Sequence, residues 1–171
     1  MKTSILFIGK KGNFYCEQAV EFFKLHPFEE NMILLGNRGD RFPEDIGWWK
    51  GDYIISFLSP WIIPKYLLDR AKIASINFHP GPPEYPGIGC TNFAIYDNVD
   101  TFGVTCHNMN LKVDAGKIIT IERFPLYDTD TVFTLTQRCY GYILKIFYEI
   151  TSLILTGMEL PQSNECWKRK P

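Results

Sequence analysis

Residues 76–98, INFHPGPPEYPGIGCTNFAIYDN, decide how the chain is read. An apolar run over 72–79 has the composition of a strand and closes on Asn77 and His79. It passes straight into ten residues, 80–89, that hold four prolines and three glycines, which end the pairing and stiffen the loop. Side chains two apart on a strand share a face, so Ile76 and Phe78 point one way and Asn77 and His79 the other. An amide and an imidazole side by side at a strand's mouth aim two hydrogen-bond donors at one point. Such a pair suits an oxyanion forming on a carbonyl. In open α/β sheets ligands settle beyond the carboxyl ends of strands, and these residues fall at such an end.

Working outward, the preceding chain alternates strand and helix. Residues 4–8 form a short apolar run ending at Gly9, and 17–25 carry Val20, Phe22, Phe23 and Leu25 at helical spacing. Residues 31–36 and 52–57 read as further strands, with a Gly-, Asp-, Arg- and Pro-rich loop between them. Pro64 opens a helix expected over 64–71. This order predicts an α/β domain with an open parallel sheet flanked by helices. Beyond the proline loop, a helix over 91–96, strands over 103–109 and 117–122, and a turn at 112–116 are expected. Apolar residues at Val132, Leu135, Cys139, Ile143, Ile146, Ile150 and Leu153 recur every three or four positions and predict a long helix over 128–157, stopped by Gly157.

At 171 residues the chain is long enough for one well-buried domain, expected over 1–161 with a polar tail over 162–171. The net charge of −1 gives no electrostatic reason to expect nucleic acid or an anionic membrane. The basic end, Trp167-Lys168-Arg169-Lys170, reads as a solvated tail. Five scattered cysteines show neither a disulfide framework nor metal-ligand spacing, so no metal is expected and a reducing cytoplasm fits. The apolar stretch at 5–9 is too short for a signal peptide or a membrane span. The Gly9-Lys10-Lys11-Gly12 turn reads as a surface turn, with a phosphate site as the other reading.

To donate alongside an amide, His79 should be protonated, and an ordinary imidazole near pH 7 mostly is not. A nearby carboxylate would hold the proton, and Asp114 in VDAGKII, residues 113–119, is the candidate. Taken singly, Asn77 and His79 read as residues that tie down a loop, and Asp114 as a turn former. Their ordered spacing favours the functional reading for all three. For His107 the two readings balance.

INFHPG at 76–81, GVTCH at 103–107 with His107 seven positions before Asp114, and VDAGKII together resemble the formyltransferase fold family. That family includes glycinamide ribonucleotide, methionyl-tRNA and sugar N-formyltransferases and formyltetrahydrofolate hydrolase. The resemblance runs from about residue 52 to 161 and takes in SPWIIP at 59–64 and the final helix. It implies a Rossmann-like, mostly parallel twisted sheet, and an enzyme that moves a formyl group from 10-formyltetrahydrofolate to a small-molecule amine. An amino sugar nucleotide is the leading acceptor on family grounds. It also implies catalysis by Asn77, His79 and Asp114, with His107 in support. The pterin would lie in an apolar slot walled by Phe57, Leu58, Trp61 and Ile62, against the backbone of Asn110, Leu111, Lys112 and Val113. Ordinary core is the other reading of those four walls, and for Ile62 an even one. Two departures stand out. The N-terminal half is short by about one strand–helix unit, and Pro86 stands where many relatives carry an arginine. The rival readings are a hydrolase of the same fold and a catalytically silent domain that binds folate or a partner.

Overall fold

The computed structural model describes residues 3–26 and 30–168. Strand β1 (Ser4–Lys10) leads through α1 (Phe14–Leu25) to β2 (Glu30–Gly36). A 3-10 turn, Glu44–Trp48, then precedes β3 (Gly51–Phe57), which continues through α2 (Lys65–Leu68) to β4 (Ala71–His79). The chain closes with α3 (Cys90–Asp97), β5 (Thr101–Asn108), β6 (Ile118–Pro125) and α4 (Val132–Thr156). The six strands form one sheet in the order β2-β1-β3-β4-β5-β6.

The pairs among β1 to β4 are parallel, as the alternating pattern predicts, but β5 runs antiparallel to both β4 and β6. An alternating run identifies a strand and not its direction. Helix α2 is a single turn rather than the stretch expected over 64–71, and Pro64 lies outside it as the N-cap. Between β2 and β3 only the 3-10 turn is present, so the N-terminal half is short of a helix there.

The two faces of the sheet are covered unequally. On one, Ile5, Phe7, Ile55, Phe57, Ile76 and Phe78 meet α1 and α4 in the larger core. Phe147 of α4 lies 5.5–6.1 Å from the rings of Phe7, Phe23, Phe57 and Phe78. That helix starts at a Thr131–Thr134 capping box and ends at Gly157, whose φ of 68° suits a residue without a Cβ. On the other face, Leu6, Ile8 and Ile54 pack beneath Ile46, Trp49, Ile63 and Leu67 from short elements and loops, with partly buried Phe42, Trp61 and Met109 beside them. Ser56 pairs with Asn77 and Phe57 with Phe78, so Asn77 and His79 lie on this thinly covered face.

Candidate active site

Antiparallel pairing sets Asn77 opposite His107 and His79 opposite Thr105, making a polar square on one face of the ladder. Thr105 is fully buried, and its hydroxyl donates to the Gly81 carbonyl at 2.8 Å, fixing the first turn of the proline loop. That loop returns the Tyr85 carbonyl to 3.0 Å from His79 Nε2. Gly81 is required here: a Cβ would stand 2.7 Å from that nitrogen and 2.9 Å from Cys90 Cβ. Burial pushes the Cys90 thiol up to about 11, so it stays protonated and offers no thiolate nucleophile.

Asp114 reaches the square from the turn after β5. Its φ of 43° is left-handed, which Asp tolerates better than most side chains. Gly116 lets the turn fold back on β5, because a Cβ there would fall 1.7 Å from the Asn108 carbonyl oxygen. The carboxylate stands between two imidazoles. Oδ1 lies 3.2 Å from His107 Nε2, while Oδ2 lies 3.3 Å from His79 Nδ1 and accepts the Gly87 N–H at 2.7 Å. Asn77 Nδ2 is 3.1 Å from His107 Nε2, and His107 Nδ1 is 2.9 Å from the Asn108 carbonyl. The structure therefore joins Asn77, His107, Asp114 and His79 in one continuous network.

Burial pushes the Asp114 carboxyl up, but the His107 hydrogen bond, the charge of His79 and the Gly87 N–H together hold it below its ordinary range. For His79 the balance goes the other way. Burial lowers its pKa, and the Asp114 charge and the Tyr85 carbonyl recover only part of that loss. The Asp114 charge thus favours the protonated ring, as expected from sequence, but burial outweighs it. Both His79 nitrogens face acceptors, so a neutral ring leaves one acceptor without a proton.

Elsewhere the expected residues divide. Phe57 is fully buried in the α4-side core, on the face away from Asn77, and forms no wall of the site. Trp61 packs on Gly36 and Phe42, and its indole donates to the Asp40 carbonyl, so the ring fastens the loop after β2. Leu58 is half-buried at a left-handed φ of 53°, just beyond β3. Ile62, Leu111 and Val113 are exposed apolar side chains, and Lys112 is exposed beside them. The Met109 N–H donates to the Ser75 carbonyl and hangs this loop on β4. Asn110 and Leu111 also line a cleft of about 420 Å³ with Lys65, Asp69, Ile73 and Ser75.

The tail read from sequence as solvated is docked as far as Lys168. Ser163 N donates to the Ile118 carbonyl, Trp167 Nε1 to the Gly116 carbonyl, and Lys168 N to the Pro83 carbonyl. Arg169 and Lys170 lie outside the described residues. Trp167 and Thr105 were both missed from sequence. Thr105 was findable, since it sits two before His107 on a strand and must share its face.

The family model described as formyl transferase matches residues 42–149. The chain belongs to the formyl transferase family. It is 35% identical over 117 residues to the methionyl-tRNA formyltransferase of Geobacillus thermodenitrificans, covering 67% of this chain and 37% of that protein. It is 35% identical over 88 residues to the GDP-perosamine N-formyltransferase of Brucella melitensis, covering 51% of this chain and 34% of that protein. The chain thus spans little more than a third of the length of these relatives. Among solved structures, an N-formyltransferase from Helicobacter canadensis, in complex with folinic acid and dTDP-3-aminofucose, superimposes at a TM-score of 0.76. That match is 19% identical and covers 98% of this chain and 70% of the other. A sugar 3N-formyl transferase, solved in the presence of dTDP and 5-N-formyl-THF, gives 0.78 at 21% identity, over 98% and 69% of the two chains. At these identities the superpositions speak for the fold. No helix among the described residues is long and apolar enough to cross a membrane.

Proposed function

We propose that this chain moves a formyl group from 10-formyltetrahydrofolate to a primary amine of a small metabolite, with an amino sugar nucleotide as the leading acceptor class. The observation that carries this reading is the Asn77–His107–Asp114–His79 network at the carboxyl end of β4, in a chain of the formyl transferase family. The acceptor class draws on the GDP-perosamine relative and on sugar formyltransferases of the same fold. A net charge of −1 favours it over a tRNA, although a methionyl-tRNA formyltransferase is among the relatives. Five free cysteines, four of them buried, fit a cytoplasmic setting.

The chemistry runs as follows. The neutral amine attacks the formyl carbon, a C–N bond forms, and the carbonyl π pair moves onto oxygen. The Asn77 amide and an N–H of His79 stabilise that oxyanion. Because His79 Nε2 now faces the Tyr85 carbonyl, its donation requires exchanging that partner for the oxyanion. Asp114 is held ionised and directly takes the proton that leaves the amine. Collapse re-forms the carbonyl and breaks the bond to N10 of the folate, which takes that proton from Asp114 and leaves as tetrahydrofolate. The donor's pterin would lie against Leu58, Ile62 and the 110–113 loop, where apolar side chains stand exposed.

The rival reading is transfer of the formyl group to water by the same network. Tetrahydrofolate release measured with and without a panel of amines separates the two. Amine-dependent release supports transfer, and equal release without amine supports hydrolysis. Asp114→Asn should lower turnover on the order of 100-fold to 10,000-fold while folate still binds. Unchanged turnover in that variant would remove Asp114 from the mechanism.

A further inference from the structure

We propose that Trp167, strapped across the site by residues 163–168, is a positioning residue that keeps water off the carboxylate and its two imidazoles and so commits the formyl group to the amine. The strap ties together the two loops that frame the site. Its indole N–H holds the Gly116 carbonyl on the Asp114 turn at 2.8 Å, and the Lys168 N–H holds the Pro83 carbonyl on the loop after His79 at 2.8 Å. Charge reinforces the same junction, since Glu84 pairs with Arg123 at 3.1 Å and Lys168 at 2.9 Å, and Arg123 also pairs with Glu165.

The indole itself rests edge-to-face on the histidines, 4.9 Å from His107 at 84° and 5.6 Å from His79 at 70°. Neither core cluster includes Trp167, and most of the strap's side chains are exposed. Its fastening is to the site rather than to the hydrophobic interior. The charged or titratable groups packed on His79 are Asp114 and His107, with the protonated Cys90 thiol across Gly81. Water admitted beside this set would weaken the Asp114–His79 attraction, and it would supply a competing nucleophile at the formyl carbon.

The partition between amine and water rests on the transfer reading given above, whereas the covering role is measurable without any turnover. The full chain has three histidines, so the imidazole Cε1–H region of a carbon–proton spectrum holds three signals, one of them from His26 away from the site. In Trp167→Ala the His79 titration should move up toward the ordinary 6.5, because burial is what lowers it. Trp167→Phe should keep most of the wild-type behaviour. In parallel, amine-independent release of tetrahydrofolate relative to formyl transfer should rise on the order of tenfold to 100-fold in the alanine variant. Glu84→Gln, which loosens the strap without touching the indole, should move both readouts the same way by less, and it serves if the alanine variant does not fold. A His79 titration in the variants that superimposes on the wild type overturns the covering role, whether or not the chain transfers formyl groups. A moved titration with an unchanged partition overturns the commitment to amine. If no form releases tetrahydrofolate, the transfer reading fails, and the titration alone then upholds or overturns the covering role.

Discussion

Gly116→Ala tests whether the Asp114 turn is the part of the site that must be held in place. The added Cβ would stand 1.7 Å from the Asn108 carbonyl oxygen and 2.7 Å from its carbon, both of them backbone atoms that no rotamer change can clear. Restoring an ordinary contact needs a shift of roughly 1.5–2 Å between the turn and the end of β5. The bonds carried by Asp114 have little slack, at 2.7 Å to the Gly87 N–H, 3.2 Å to His107 and 3.3 Å to His79. A movement of that size breaks at least one of them. A misplacement of about 1 Å in a catalytic group costs on the order of 100-fold in rate, so formyl transfer should fall by at least that factor. Stability should fall by only about 1–3 kcal/mol, as for other overpacked sites. Urea melts give the second number, and tetrahydrofolate release with a saturating amine gives the first. Transfer within threefold of wild type, in a variant shown to carry the alanine, would refute the placement of Asp114 as the acting carboxylate.

Three further outcomes are expected. Gly141→Ala, in the middle of α4, meets only Tyr15 at 3.9 Å, so it should raise stability by about 0.5–1 kcal/mol and leave transfer unchanged; a lower melting temperature would contradict the packing described between α1 and α4. Acid should destabilise the fold in two stages. His79, Asp114 and Glu84 all have pKa values lowered on folding, so the unfolded chain binds more protons and stability falls as pH falls. The His79 contribution starts to be lost below 6.5, and the Glu84 contribution between 4.5 and about 2, as calorimetry from pH 7 downward would show. A melting temperature that rose between pH 7 and pH 5 would contradict the burial of a neutral His79. Thr105→Val removes the hydroxyl that holds Gly81 and leaves a buried carbonyl unpaired, a loss of about 1–3 kcal/mol, with transfer reduced because His79 follows the loop.

How far the sequence could be read depended on the range of the interactions involved. Alternation along β4 placed Asn77 and His79 on one face, and apolar spacing placed α4, because both signals are local and periodic. Phe57 was assigned to the wrong side for want of a register: paired with Phe78, it can only face α4. The direction of β5 left no local trace either, being set by the return of the chain through α3. The docking of Trp167 lay further out of reach. It bonds a carbonyl 51 residues away from within a polar stretch that has no period to read.

The reversal of β5 has a consequence for how such a protein can diversify. Because the strand runs back along β4, Asn77, His79 and His107 project from neighbouring rungs of a hydrogen-bonded ladder instead of from separate crossover loops. On the proposed reading, three of the four network groups are thereby carried by a hydrogen-bonded ladder, while choice of the recipient falls to surrounding loops. On that reading, drift in loops other than the Asp114 turn and the 80–89 loop can retarget the chain to a new amine with the reacting groups undisturbed, and grafting such a loop between relatives is the direct way to exploit it.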